Sequence, residues 1–282
     1  MSNIQYHLKI KPKPSLFGFN IKELWKYRDL IVLFVRRDFV SVYKQTILGP
    51  TWFIIQPLLS TLMYTVIFAN IAKIPHENLP PVLFYMSGTV AWTYFSTCLI
   101  KTSDTFITNS GIFGKVYFPR MTVPISITIS NLVQFAIQFA LLLVILIGCV
   151  LFKGTHIHIY FSILLLPVLL VILAGLGLGF GIIISSLTTK YRDLKQLVAF
   201  GVQLWMYVTP IIYPLSFISG KYKIFFLLNP LTGVIESFRA IILNVDTVNY
   251  IYLGYSAGFM LILLTAGILL FNRVERNFMD HV

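Results

Sequence analysis

The polarity pattern is one of long apolar stretches separated by short, mostly basic connections. Stretches near 52–72, 82–100, 125–151, 162–187, 197–217 and 250–271 each approach the roughly 20 residues that a helix needs to cross about 30 Å of hydrocarbon. Their unbroken apolarity predicts spanning helices rather than the short alternating strands of a barrel. A further stretch, IFFLLNPLTGVIESFRAIIL (224–243), is divided at Asn229-Pro230 into halves too short to span. It also carries Glu236 and Arg239, which are costly against lipid, so it is predicted to be re-entrant. Upstream, residues 28–47 predict a helix with Arg37, Ser41 and Lys44 on one face and Ile31, Phe34, Val35 and Val42 mostly away from it, with Leu33 spoiling the division. Gly49 and Pro50 then suit a sharp turn into the first span. The expected fold is an all-α polytopic membrane protein: a cytoplasmic tail and amphipathic interfacial helix over 1–50, then one six-span transmembrane domain over 51–282 with the re-entrant segment before its last span.

Composition agrees, with 57% hydrophobic and 11% charged residues, well outside the range of ordinary soluble domains. A net charge of +12 would suit nucleic acid, but the basic residues sit in the connections, so they report topology first. Of the 22 Lys and Arg, 17 fall in the first 51 residues, the 101–120 and 188–196 connections and the C-terminal tail. With six spans, all these segments lie on the cytoplasmic side, whereas counting 224–243 as a seventh would put Arg273 and Arg276 outside. The first 25 residues lack a signal peptide's short apolar core and cleavage site, predicting a retained N-terminus. Cys98 and Cys149 lie within apolar runs and read as packing residues.

The sequence has no GxxxxGK[ST] phosphate loop, since Gly114-Lys115 is followed by Val116 and Gly220-Lys221 by Tyr222, so the chain is not an ATPase by itself. There is no HExxH, and His156 and His158, in a short external connection, read as solvated; no metal ligands are assigned. The glycines of AGLGLGFG (174–181) fall within a span, where small residues let helices approach closely. In the third span Thr128, Asn131, Gln134 and Gln138 recur at helical spacing, either bonding across a helix seam or lining a wet cavity. Most aromatics serve as interfacial belts and filler. Trp52, Tyr64, Tyr85, Trp92, Trp205, Tyr207 and Tyr213 also offer flat faces with polar tips on which sugar rings could slide. The cations Arg36, Arg37 and Lys44 of the interfacial helix suit anionic headgroups or a lipid pyrophosphate; an ordinary topogenic flank is the alternative.

In their order, RRDFVSVYKQTILGPTWFIIQPL, LFYMSGTVAWTYF, KVYFPR (115–120), YRDLKQLVAF (191–200), TPIIYPLS (209–216) and NPLTGVIESFRAIIL (229–243) resemble the membrane subunit of ABC exporters of the polysaccharide and polyol phosphate type. That family includes the O-antigen, capsule and teichoic acid export permeases. The resemblance covers nearly the whole chain; the tail with KIKPKP (9–14) departs from it and receives no role. It implies a homodimer of six-span subunits in a bacterial inner membrane, bound to two copies of a separate ATPase. That partner uses ATP and magnesium, and this chain binds no cofactor. It also implies a coupling segment from Asp104 to Gly114 that docks on the ATPase, with Asp104, Thr105, Phe106, Asn109 and Phe113 as its coupling residues. The interfacial helix becomes a lipid-side gate, and the re-entrant Asn229, Pro230, Glu236 and Arg239 an external gate. The inferred activity is ATP-driven export of a lipid-linked polysaccharide. Alternatives are a permease for another lipid or small molecule, and a membrane-embedded transferase, for which no spaced acid/base set is found.

Overall fold

The computed structural model describes residues 21–44, 47–76, 79–116, 118–153, 161–188, 193–244 and 247–278, and within these there is helix but no strand. His156, His158, KIKPKP, Lys190 and Arg192 lie outside the described residues. The helices are α1 (Ile21–Lys26), α2 (Arg28–Tyr43), α3 (Trp52–Tyr64), α4 (Pro81–Ser103), α5 (Thr105–Thr108), α6 (Ser110–Phe113), α7 (Thr122–Lys153), α8 (Leu166–Thr188), α9 (Leu194–Tyr207), α10 (Gly220–Leu227), α11 (Pro230–Leu243) and α12 (Tyr250–Phe278). Among the described residues, four helical runs are long and apolar enough to cross a membrane: Gly49–Ile71, Thr122–Phe152, Ser162–Thr188 and Tyr250–Val274. A fifth is reached if the bent pair α10 and α11 counts as one span.

The first run joins three helical forms. A 3₁₀ turn at Gly49–Thr51 leads into α3, and a π-helical turn at Thr65–Ile71 follows it. Gly49 has φ 48°, a left-handed conformation natural to glycine, so the expected sharp turn into the span is present. The second expected span is α4, whose 23 residues extend about 34 Å at helical rise. It is largely enclosed, packed against α3, α7, α8 and α11. Ser87 and Thr89 are tolerated there because they donate to the carbonyls of Phe84 and Met86 at 2.9 and 3.0 Å, whereas buried Thr102 Oγ1 has no hydrogen-bond partner among the described residues.

The fifth expected span, 197–217, differs. Its helix, α9, stops at Tyr207 after 14 residues, about 21 Å, and the chain turns through Thr209–Tyr213 before the 3₁₀ turn Leu215–Phe217. The apolar pattern continues, but Pro210 and Pro214 cannot donate to a helical ladder. The predicted break at Asn229-Pro230 is present as a 95° bend between α10 and α11. Pro230 occupies the first turn of α11, where its missing N–H costs nothing.

The glycines of α8 do what close packing requires. A Cβ on Gly181 would stand 2.5 Å from Cβ of Thr102 and 3.1 Å from the carbonyl oxygen of Leu99, both on α4. On the other flank a Cβ on Gly179 would stand 2.9 Å from Leu263 of α12. Two bare seams therefore bring α4, α8 and α12 together.

Two apolar clusters organise the bundle. The larger is built on α4, α8 and α11, around Phe84, Tyr85, Phe95, Leu173 and Phe238. The smaller gathers Leu24, Phe34, Phe106, Phe113, Phe118, Val123, Ile182 and Phe271. It brings α1, α2, the 104–121 connection and the last turns of α12 to one end of the bundle, the end where the basic connections collect.

Candidate functional site

At the basic end, α2 turns Phe34 inward, 5.8 Å from the Phe118 ring. Its exposed side is mixed: Val32 and Leu33 are 66% and 59% exposed, beside exposed Arg36 and Arg37, and Lys44 follows exposed at the helix end. Arg37 does not stay on a face opposite Phe34. Its guanidinium lies 4.8 Å over that ring and donates to Asp38 at 2.8 and 2.9 Å, as a long side chain three residues along a helix can.

The 104–114 segment is two short helices, α5 and α6. Asp104 stands at the start of α5 without a capping bond and instead pairs with Lys195 of α9, 2.6 Å away. Thr105, Phe106, Asn109 and Phe113 are buried. Phe106 stacks on Phe271 at 4.6 Å and meets Phe113 at 5.9 Å, while Asn109 donates to the Thr105 carbonyl at 3.0 Å. These side chains fasten the segment to its own subunit. The side chains it presents outward are Thr108, Ser110, Lys115 and Val116.

In the middle of the bundle the amides of α7 divide. Asn131 is buried and accepts from Lys101 Nζ at 3.0 Å, while its Nδ2 donates to Cys98 Sγ at 3.6 Å. Gln138 is buried with its Nε2 unpartnered among the described residues, and Gln134 is half-buried. Of the aromatic candidates, Tyr85 and Trp92 are enclosed in the core and Tyr85 Oη has no hydrogen-bond partner among the described residues. Trp205 is wedged edge-on between Phe95 and Phe180, at 5.4 and 4.9 Å. Tyr64 reaches Met206 Sδ at 3.7 Å. Trp52 and Tyr207 are exposed on the flank, and Tyr213 donates to the Tyr207 carbonyl.

The opposite end is the most tightly specified. Asn229 caps α11 by accepting from Leu231 N at 3.1 Å and donates through Nδ2 to Thr209 Oγ1 at 2.9 Å. Ten residues on, Arg239 is 2% exposed. Its Nη1 donates to Glu236 at 3.1 Å and its Nη2 to the carbonyls of Pro210 and Ile211 at 3.1 and 3.3 Å. The guanidinium also lies 3.9 Å over the Phe84 ring of α4. Gly88 makes room: a Cβ there would stand 3.2 Å from Arg239 Nη2. The arrangement pins the irregular 208–214 turn to both α11 and α4. A cavity of about 180 Å³ opens beside it, lined by Lys223, Glu236, Ser237, Thr247, Asn249 and Tyr252.

Several contributors have no role in the sequence reading. Lys101 and Lys195 enter it only as topogenic charges, and Thr209 and Pro210 only as part of the TPIIYPLS resemblance. Gly88, inside MSGTV, has a signal in its own smallness, a glycine within a span.

A family description, ABC-2 type transporter, matches residues 29–243. The O-antigen export system permease protein RfbA of Klebsiella pneumoniae is 28% identical over 254 residues, covering 89% of this chain and 94% of that protein. A protein of the same name from Myxococcus xanthus is 28% identical over 78% of this chain and 83% of its own length. The polysialic acid transport protein KpsM of Escherichia coli is 24% identical over 81% of this chain and 86% of its own.

Proposed function

The chain belongs to the ABC-2 type transporter family, and from that premise we propose that it is the transmembrane subunit of an ATP-driven exporter of a lipid-linked glycan. The observation that carries the substrate class is its alignment with relatives of two names, O-antigen export and polysialic acid transport, over 89% and 81% of the chain. Both names denote movement of a long saccharide.

The work comes from a second chain, because the sequence lacks the glycine-rich loop that cradles nucleotide phosphates. ATP and magnesium belong to that partner, present in two copies, and the permease holds no cofactor. The partner docks at the basic end, which carries α1, α2, the 104–116 segment and the start of α9. That end is cytoplasmic, in keeping with its lysines and arginines, so both termini lie in the cytoplasm of a bacterial inner membrane. The six crossings are α3, α4, α7, α8, α9 with its following turn, and α12, while α10 and α11 form a re-entrant external gate. Docking acts as differential affinity of the partner's states for two arrangements of the permease.

A single chain leaves little room for a polymer, since Tyr85 and Trp92 are enclosed in its core. The route runs where two copies meet, along flanks that present Trp52 and Tyr207. Capture of the lipid end begins at α2, with Arg36, Arg37 and Lys44 at the headgroup boundary. Replacing all three should reduce export without unfolding the protein. The decisive experiment removes the protein from its native host and follows the lipid-linked glycan, alongside mild purification with mass spectrometry of stoichiometric partners. Glycan accumulating on the cytoplasmic side and a co-purifying GxxxxGK[ST] protein are expected. Unchanged surface glycan with no such partner would end the proposal.

A further inference from the structure

We infer that Lys101 and Asn131 anchor a binding site for the phosphate ester of a membrane lipid, in the notch between α2, α4 and α7. The inference rests on the membrane-subunit reading above, because it requires this flank of α4 to meet lipid. Lys101 sits in the last turn of α4 and is exposed on the bundle's side. Its ammonium is drawn to Asn131 Oδ1 at 3.0 Å. Asn131 is buried nine residues into α7, and its other amide atom is occupied by Cys98 Sγ at 3.6 Å. Nine residues of helix are about 13 Å, and α2 packs against α7. The notch therefore lies beside α2, on the side of the bundle nearer its basic end.

Charge accounting defines the ligand. No carboxylate among the described residues lies within ion-pair distance of Lys101. The one whose charge reaches it, Asp38 of α2, is engaged by Arg37 through Nε and Nη2. Two cations and one anion leave the notch one positive charge in excess, with exposed Arg36 on the same helix. A lysine near a helix end ordinarily snorkels outward to water. This one is tied inward by an amide, which fixes its direction but supplies no charge, and a cation so held, whose nearest carboxylate is already engaged by Arg37, suits an anion. The ammonium has three donors and Asn131 takes one. The remaining two suit a phosphodiester or pyrophosphate oxygen pair, whereas a neutral sugar would leave the charge unbalanced. That phosphate chemistry is common to the lipid carrier of a glycan and to an anionic phospholipid.

Native mass spectrometry of the full-length protein in detergent tests this with three probes: a polyprenyl pyrophosphate, the corresponding polyprenol, and phosphatidylglycerol. The phosphate-bearing probes should bind and the polyprenol should not. Lys101→Gln should weaken phosphate binding about tenfold, as expected for a charge-assisted bond, and Lys101→Arg should restore it. Asn131→Asp keeps the shape but supplies the missing carboxylate, and should abolish binding in a protein that still elutes as folded. Lys221→Gln, at the other end of the bundle, should change nothing. Loss confined to the pyrophosphate identifies the glycan carrier as the ligand, and loss for both identifies bilayer phospholipid. Wild-type binding of every probe by folded Lys101→Gln and Asn131→Asp would overturn the site. The glycan assay above runs separately, so a failed export reading leaves these binding results intact.

Discussion

The two ends of the bundle are held together by different physics. At the basic end the connections are joined by aromatic rings: Phe106 on Phe271, Phe113 on Phe118, and Phe34 on Phe118. The Asp104–Lys195 pair has its lysine 54% exposed, and the buried Arg120 guanidinium lies 5.4 Å over the Phe113 ring. At the opposite end the chain leaves regular helix, and directional hydrogen bonds donated by Arg239 and Asn229 fix the irregular turn. Ring contacts tolerate small displacements with little loss, whereas a guanidinium shared among two carbonyls and a carboxylate does not. The end proposed to receive a partner is thus the more yielding one, and the end proposed as a gate has the more sharply defined geometry.

The sharpest way to break this contrast is Arg239→Leu. It strands the Pro210 and Ile211 carbonyls and leaves Glu236 without its cation, costing about 4 kcal/mol. Thermal unfolding in detergent should show a large drop or no folded protein. Next is Phe106→Ala at the other end, which opens a ring-sized void beneath the 104–114 segment and should cost about 3 kcal/mol. A negligible shift there would mean that rings do not hold that end. Asn229→Ala removes a helix cap, with an expected loss of about 1 kcal/mol in the same measurement. Smallest is Lys195→Gln, which should change stability by about 0.5 kcal/mol because the lysine is 54% exposed. An effect there as large as that of Phe106→Ala would reverse the comparison.

The sequence made some of this legible and hid the rest for identifiable reasons. The break at Asn229-Pro230 could be read because proline and a capping asparagine are local signals. So could the role of the α8 glycines, since small residues at helical spacing within a span have few other uses. The length of α9 was harder to read, because Val208, Ile211 and Ile212 continue the apolar pattern past the point where Thr209-Pro210 ends the helix. Arg239 was visible as a costly charge, but its partners are main-chain carbonyls 28 and 29 residues away, and a carbonyl has no letter in the sequence. Phe106 and Phe113 lie in a connection, where aromatics suggest an outward surface. Their burial depends on Phe271, which no local pattern associates with them.

The bare seams of α8 have a mechanical consequence. A contact made by side chains can shift by exchanging rotamers, but where Gly179 and Gly181 face their neighbours there are no rotamers to exchange. Sliding α4 or α12 along α8 would instead drive backbone into Thr102 or Leu263. These three helices therefore form one close-packed unit, with less free space between their backbones than side-chain-filled contacts leave.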